Sequence, residues 1–395
     1  MRVVILHNDL RVYWKGRIKF LNHFLAKHDI SLYVIELFGK GSPYAFDQVD
    51  KANCLFPNNS YDELSKAEIK DKLFARLDEI NPDVVIGGSI VFFSGALGVA
   101  WSRKNDKHFI MFDDGKPSDI KRNACVQFIK NVITRQADTL WLPSPDYDVE
   151  YKGLFKHPWY FHGYNTIDNT LFKTDGQKTL DHNVIICVAR LVEIKNFDNL
   201  LKAWKQVEAN NNVYRLRIIG AGYEEEKLKR LTADLGLQRV EFIGFVPNTE
   251  IPQYLFNADA FILASFAESW GLAVNEAMAA GLPVILSKNI NAHTALLNED
   301  ENGYLFDPNN PGQIAEKILK FINLEPAVKQ AMSQKSLEII GTMDYENMGQ
   351  ELLAVLNKML KQQPKKATFM GKILINIWRG GYNTSTWDKQ KKLSK

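Results

Sequence analysis

Two glutamates, Glu268 and Glu276, flank a small apolar stretch in FAESWGLAVNEAMAAGLPVILS, residues 266–287. Glu276 lies among Ala273, Val274, Ala277, Met278 and Ala280, in a segment that is apolar almost all round and therefore expected inside the protein. A buried carboxylate must be paired or must await a ligand. LAVNEAMAAG reads as a helix closed by Gly281 and Pro283. Its first turn, at Gly271, Leu272 and Ala273, offers unpaired backbone N–H groups and the positive end of the helix dipole to a phosphate. Glu276, about 5 Å further along the axis, would repel that phosphate but can accept two hydrogen bonds from a ribose. Glu268 then faces the opposite end of the same ligand, so the spacing suits a nucleoside diphosphate with a group attached. The rival reading makes Glu268 an acid that complements the dipole and Glu276 a solvated surface residue.

A diphosphate needs cations, and CVARLVEIKNF supplies Arg190 directly after a strand and Lys195 just before a helix that Asn196 can cap. Arginine grips phosphate oxygens with a planar fork and lysine adds a mobile point charge. Alternatively both are solvated loop cations, with Glu193 beside them able to tie up one. In IIGAGYEEEKL, Gly220 and Gly222 follow a strand and precede a helix, which suits either a donor-phosphate contact or a tight turn. Glu225 stands where the third glycine of GxGxxG would be, which counts against a dinucleotide site.

The elements that must hold these residues alternate along the chain. Strands are predicted at 3–6, 31–35, 84–86, 109–112 and 139–142 in the first half, with helices between most of them. The second half repeats the scheme with strands at 184–189, 216–219, 240–243, 260–264 and 283–286, and helices that include 223–235 and 251–256. Both halves read as doubly wound parallel α/β sheets. The segment 163–183, rich in Gly, Asn, Thr and Asp, reads as the linker. The expected domains are 1–165 and 166–364, facing each other across a cleft bordered by the carboxyl ends of the strands. After Pro364 the composition turns basic, with Ile373, Leu374, Ile377 and Trp378 interleaved among lysines. The preferred reading is a helix at 368–380 that docks on the first domain; the alternative is a basic amphipathic segment on anionic lipid. The final lysines read as a solvated tail that also assists membrane contact.

Composition bounds the function. A chain of 395 residues, 46% hydrophobic and 24% charged, has room for two globular domains. A net charge of +3 over that length does not by itself predict a nucleic-acid partner. Cys54, Cys125 and Cys187 lack the spacing of a zinc site or a disulfide framework, which suggests a reducing compartment. MRVVILHND reads as a first strand and not as a secretion signal, and no apolar run is long enough to span a membrane.

Arg190 and Lys195, the Gly220–Gly222 turn, GFVPNTEIPQYLFNADAFILAS and the Glu268/Glu276 pair together resemble the glycosyltransferase family 4 pattern of retaining, GT-B-fold enzymes. The resemblance covers roughly residues 160–325, including YNTIDNTLF at 164–172, and is loose over the first domain. It implies transfer of a sugar from a UDP-, GDP- or TDP-sugar with retention of configuration, onto a glycan or lipid-linked acceptor, in cell-surface polysaccharide synthesis. By motif position Arg190 and Lys195 hold the diphosphate and stabilise its departing charge, Glu276 binds the ribose, Glu268 binds the donor sugar, and the backbone at Gly271 to Ala273 helps neutralise the phosphates. No metal and no other cofactor is expected; Asp146 and Asp148 have DxD spacing but read as turn formers.

The first domain departs from the family twice. Where many relatives have a double-glycine loop, VYWKGRIKF has only Gly16 between Lys15 and Arg17, and these cations either meet donor phosphate or an acidic acceptor, or are solvated. Where relatives often carry a histidine, FIMFDDGKP has Asp113 and Asp114, which either contact the donor sugar or acceptor proton or form an acidic turn. His7, His108 and His162 read as structural. Two other functions stay open: a nucleotide-sugar-binding protein without transfer activity, and a GT-B epimerase. The expected location is cytoplasmic, with peripheral contact of the basic tail on the inner face of an anionic membrane, and no nucleic acid is expected as partner.

Overall fold

The computed structural model describes residues 1–10, 13–41, 50, 52–119, 123–155, 159–173 and 178–378. The chain divides into two compact units, Met1–Asn165 with the chain from Tyr345 onward, and Thr166–Asp344.

The first unit is built on seven strands: β1 Arg2–His7, β2 Ser31–Phe38, β3 Cys54–Phe56, β4 Val84–Gly88, β5 His108–Phe112, β6 Thr139–Trp141 and β7 Tyr160–Phe161. All pair in parallel, in the order β3-β2-β1-β4-β5-β6-β7, with Val4 opposite Tyr33 on one side and Val85 on the other. Helices cover both faces, so the central strands are continuously apolar, and Val3, Ile5, Val84, Ile86 and Ile110 are fully buried.

The second unit has six parallel strands, β8 Val184–Val188, β9 Arg215–Ile219, β10 Val240–Gly244, β11 Ala260–Leu263, β12 Val284–Ser287 and β13 Gly303–Phe306, in the order β10-β9-β8-β11-β12-β13. Ile185 of β8 lies opposite both Leu216 and Ala260, so the strand order reverses between β8 and β11. Such a reversal opens a crevice outside the carboxyl ends of the two strands.

Three strands were not expected: β3, β7 and β13. Each has two to four residues and forms a sheet edge, too short to show a period. In β13, Gly303 is set by close approach, since a Cβ there would lie 1.8 Å from the Val284 carbonyl oxygen.

The expected domain boundary after residue 364 differs from the observed one, which lies at Tyr345. The helix Tyr345–Met359 sends Met348, Leu352, Leu356 and Met359 into the core that also holds Leu21, Phe24 and Leu25 of the helix Tyr13–Ala26. Its apolar residues recur at helical spacing, but such a stripe does not name the surface it covers. Beyond it, the Asp138 carboxylate accepts from Lys365 N at 2.7 Å and pairs with Arg103 at 2.6 Å, which fastens the chain to the first unit. The helix Phe369–Ile377 follows, packed against the helices Ala124–Thr134 and Phe93–Lys104. The tail cations from Arg379 to Lys395 lie outside the described residues. No helix among the described residues is long and apolar enough to cross a membrane.

Candidate active site

The loop after β8 is held by backbone contacts that leave no room for side chains on its neighbour. Ala189 N donates to Ile219 O and Leu191 N to Ala221 O, each at 3.0 Å. A Cβ on Gly220 would stand 1.9 Å from the Ala189 carbonyl oxygen, and one on Gly222 would stand 2.2 Å from that of Leu191. The two glycines thus let the β9 turn press against the loop that carries Arg190, which is the tight-turn role. Arg190 is half-buried just beyond the end of β8.

A single 3-10 turn, Glu193–Lys195, then leads to Asn196 in the left-handed region (φ 58°) and the helix Phe197–Asn210. Asn196 occupies the N-cap position without capping through its side chain. Its amide instead donates to Ala264 O at 2.9 Å and Pro308 O at 2.8 Å, joining this turn to the end of β11. The expected side-chain cap is thereby corrected: a left-handed backbone turns the amide away from the helix and toward these two carbonyls.

The same turn brings Lys195 to Glu268. Their side chains form an ion pair, both mostly buried, and Ser265 Oγ donates to the same Glu268 oxygen at 3.0 Å. Glu268 is held in place by its backbone, with N donating to Asn289 O and O accepting from Asn291 N, both at 3.2 Å. Glu193, the sequence neighbour able to tie up a cation, has its backbone N bonded to the Tyr223 hydroxyl, and Lys195 pairs with Glu268.

From Glu268 the chain passes Trp270, whose indole N–H donates to Asn275 Oδ1 at 2.9 Å, and turns through Gly271 (φ 98°) into the helix Leu272–Ala279. The first-turn residues Gly271, Leu272 and Ala273 are partly exposed, while Val274 to Ala279 are buried. The helix ends at Gly281 (φ 76°), with Leu282 N bonded to Ala277 O. One turn inside, Glu276 is 7% exposed. Its carboxyl has no hydrogen-bond or ion-pair partner among the described residues. Burial alone pushes its pKa up to about 8.

The second unit therefore places Arg190 and Lys195 after the end of β8, and Glu268, the helix start at Gly271 to Ala273 and, one turn inside that helix, Glu276 after the end of β11. Sequence reasoning missed Ser265, Trp270 and Asn275. Ser265 is a fully buried hydroxyl at the end of an apolar strand, a signal visible in AFILAS; the Trp270–Asn275 bond, five residues apart across a helix start, left no pattern to read.

The first-unit candidates occupy different settings. Lys15 and Gly16 are exposed on the helix Tyr13–Ala26, and Gly16 lies against the Tyr345 hydroxyl. Arg17 is 2% exposed, stacked on the rings of Trp14 and Tyr164 at 4.7 and 4.9 Å, which overturns the solvated reading for this residue. Asp113 accepts from Gly115 N at 3.2 Å and lies 3.6 Å from Lys130 Nζ, and Tyr147 donates to Asp114 O at 3.2 Å, the contacts of an anchored acidic turn. Asp146 pairs with Lys116 at 2.8 Å, and Asp148 with Lys152 at 2.7 Å and His162 at 2.8 Å.

With this geometry in view, the likeness to known proteins is specific. Residues 168–338 match the family model of glycosyl transferases group 1. An uncharacterized glycosyltransferase of Haemophilus influenzae is 32% identical over 169 residues, covering 42% of this chain and 47% of that protein. The putative colanic acid biosynthesis glycosyltransferase WcaL of Escherichia coli is 33% identical over 159 residues, 37% of this chain and 39% of that protein. The chain spans about half the length, or less, of these curated relatives. Over nearly the whole chain the fold is like that of sucrose-phosphate synthase from Thermosynechococcus elongatus, with TM-score 0.73, 16% identity, and 91% and 99% of the two chains covered. Anabaena HepE in complex with UDP gives TM-score 0.68 at 17% identity, with 91% and 100% covered.

Two doubly wound parallel units in this connectivity have the GT-B fold. Within that fold, the likeness to the glycosyl transferases group 1 family is carried by residues 168–338.

Proposed function

We propose that the protein is a retaining glycosyltransferase that moves a sugar from a nucleotide sugar to a glycan or lipid-linked glycan, in the synthesis of a cell-surface polysaccharide. The observation that carries this reading is the Glu276 carboxyl, buried without a partner one turn inside a helix whose first turn is open. A ribose would satisfy it, since two vicinal hydroxyls can donate to one carboxylate. The helix start at Gly271 to Ala273 would then receive the diphosphate. Arg190 and Lys195 would stabilise the charge that develops on the leaving diphosphate, the largest single contribution available in such a reaction. Lys195 is held at this point by Glu268, so the ammonium is oriented before the donor arrives. Glu268, retained by Ser265, would bind hydroxyls of the donor sugar.

Relatives named for colanic acid, amylovoran and lipopolysaccharide core biosynthesis support a polysaccharide product. A complex of HepE with UDP makes UDP-sugars the first donors to test. The proposed place of action is the cytoplasmic face of the membrane, where the basic residues after Trp378 would contact anionic lipid. One observation favours a second reading, donor binding without transfer: in the first unit Arg17 and Asp113 are already engaged by neighbouring side chains.

Thermal denaturation against UDP, GDP, TDP, CMP and NAD, in wild type and Glu276→Ala, tests the site. A ligand at about 100 times its Kd stabilises the native state by about 2.7 kcal/mol. One nucleoside diphosphate is expected to raise the Tm of the wild type and not of the variant; a response to NAD alone, or equal responses in both proteins, would overturn the reading. Release of nucleotide from the matching sugar only when an acceptor extract is present then separates transfer from binding.

A further inference from the structure

The helix Phe369–Ile377, FMGKILINI, carries more apolar surface than its unit covers. Gly371 and Ile375 face inward, and Gly371 sits so close to the helix Ala124–Thr134 and the residues after it that a Cβ would meet Gln136 Cδ at 2.6 Å. Both ends are fastened. Thr368 N donates to Gln136 Oε1 at 3.1 Å, and the Trp378 indole donates to Ile90 O at 2.7 Å. The outward stripe is therefore fixed facing out: Phe369, Met370, Ile373 and Ile377 are 82%, 51%, 47% and 57% exposed. At 3.6 residues per turn these four fill an arc of roughly 100°. Single exposed apolar side chains are ordinary, but four on one helical stripe mark a surface that meets a partner.

The surrounding charge selects the partner. Lys366 and Lys372 are exposed on and beside the helix. A groove of about 310 Å³ runs between it and the helices Lys66–Ile80 and Phe93–Lys104, with apolar walls that include Phe93, Leu97 and Ile375. Among the described residues, its charged lining consists of Lys66 and Lys70. From Pro364 to the end the sequence holds eight lysines and arginines against the single acid Asp388. An apolar stripe rimmed by ammonium groups matches the boundary of an anionic bilayer, where acyl chains accept the apolar side chains and phosphates accept the cations.

We infer that this face seats the protein on an anionic membrane, with Phe369, Met370, Ile373 and Ile377 entering the headgroup region and Lys66, Lys70, Lys366 and Lys372 meeting lipid phosphates. The surface belongs wholly to the first unit and stands without the nucleotide site. It differs from contact through the basic tail alone, because the apolar stripe supplies part of the attraction.

Flotation of the full chain with phosphatidylcholine vesicles, with and without phosphatidylglycerol, tests it. The wild type is expected to float with the anionic vesicles and to be released in part by salt. F369Q/I373Q, at two exposed positions, should keep the wild-type Tm and nucleotide response while binding vesicles more weakly by about tenfold at least. K366E/K372E should weaken binding to a similar degree, and a chain ending after Trp378 should retain measurable binding. Equal flotation of wild type and F369Q/I373Q, no flotation of the wild type, or complete loss on removing residues 379–395 would overturn the proposal. So would a wild-type dimer by light scattering that becomes a monomer in F369Q/I373Q without any vesicle binding, which would assign the stripe to a second copy of the chain.

Discussion

Glu276 is the central residue of the proposed nucleotide-sugar site, and its burial fixes the sign of its proton linkage. Burial raises its pKa from 4.5 to about 8, so between these values the folded protein holds a proton that the unfolded chain has released. Stability is therefore expected to fall as pH rises through this window and to level off above about 8. Glu276→Gln should flatten the slope and raise the Tm at pH 8–9 by an amount equivalent to a few kcal/mol, measured by thermal denaturation across pH. The same substitution should weaken nucleotide-sugar binding by roughly ten- to a hundredfold, the cost of about 1.5–3 kcal/mol for a charge-assisted hydrogen bond. A variant that is more stable yet binds less well is the signature of a ligand residue. Because ribose hydroxyls favour the ionised carboxyl, affinity for a nucleotide sugar should rise between pH 6.5 and 8 in the wild type and stay level in Glu276→Gln, as titration calorimetry would show. Lys195→Ala should lower kcat by about a hundredfold or more if it stabilises the leaving diphosphate, with a smaller change in KM, measured by steady-state transfer.

The turns around the sheet ends decide where these side chains sit. Gly222→Ala would bring a methyl group within 2.2 Å of the Leu191 carbonyl oxygen, so the loop carrying Arg190 must move. Loss of about 2 kcal/mol or more in chemical denaturation is expected, together with weaker nucleotide binding. Gly271→Ala offers a contrast, since the nearest atom to the new methyl is 3.4 Å away and only the φ of 98° opposes it. Its cost should be about 1–2 kcal/mol, from backbone strain alone. The tight turn at Gly220 and Gly222 follows from the approach of two backbone segments, which sequence alone does not show. The edge strands β3, β7 and β13 escaped detection for a related reason: strand pairing with a neighbour, and not their own composition, makes them strands.

The chain as a whole returns to its first unit after completing the second. Leu352, fully buried in the helix Tyr345–Met359, shares a core with β1, so Leu352→Ala is expected to cost about 2–5 kcal/mol in the unfolding of the first unit. Denaturation followed with and without the matching nucleotide would show that transition shifted while the ligand response of the second unit persists.

Residue types and short-range spacing were enough to bring out the alternation of strands and helices, the two parallel sheets, and Arg190, Lys195, Glu268 and Glu276 as candidates in the segments that follow β8 and β11, because hydrophobic period and loop chemistry are local properties. Folding alone decided the rest. The pairing of Lys195 with Glu268 joins residues 73 apart in sequence. The burial of Arg17 between aromatic rings depends on Tyr164, far along the chain. Which unit receives Tyr345–Met359 depends on the face left uncovered by the helix Tyr13–Ala26. A sequence states which side chains are apolar or charged, but the partner that buries or neutralises each one is chosen by long-range packing.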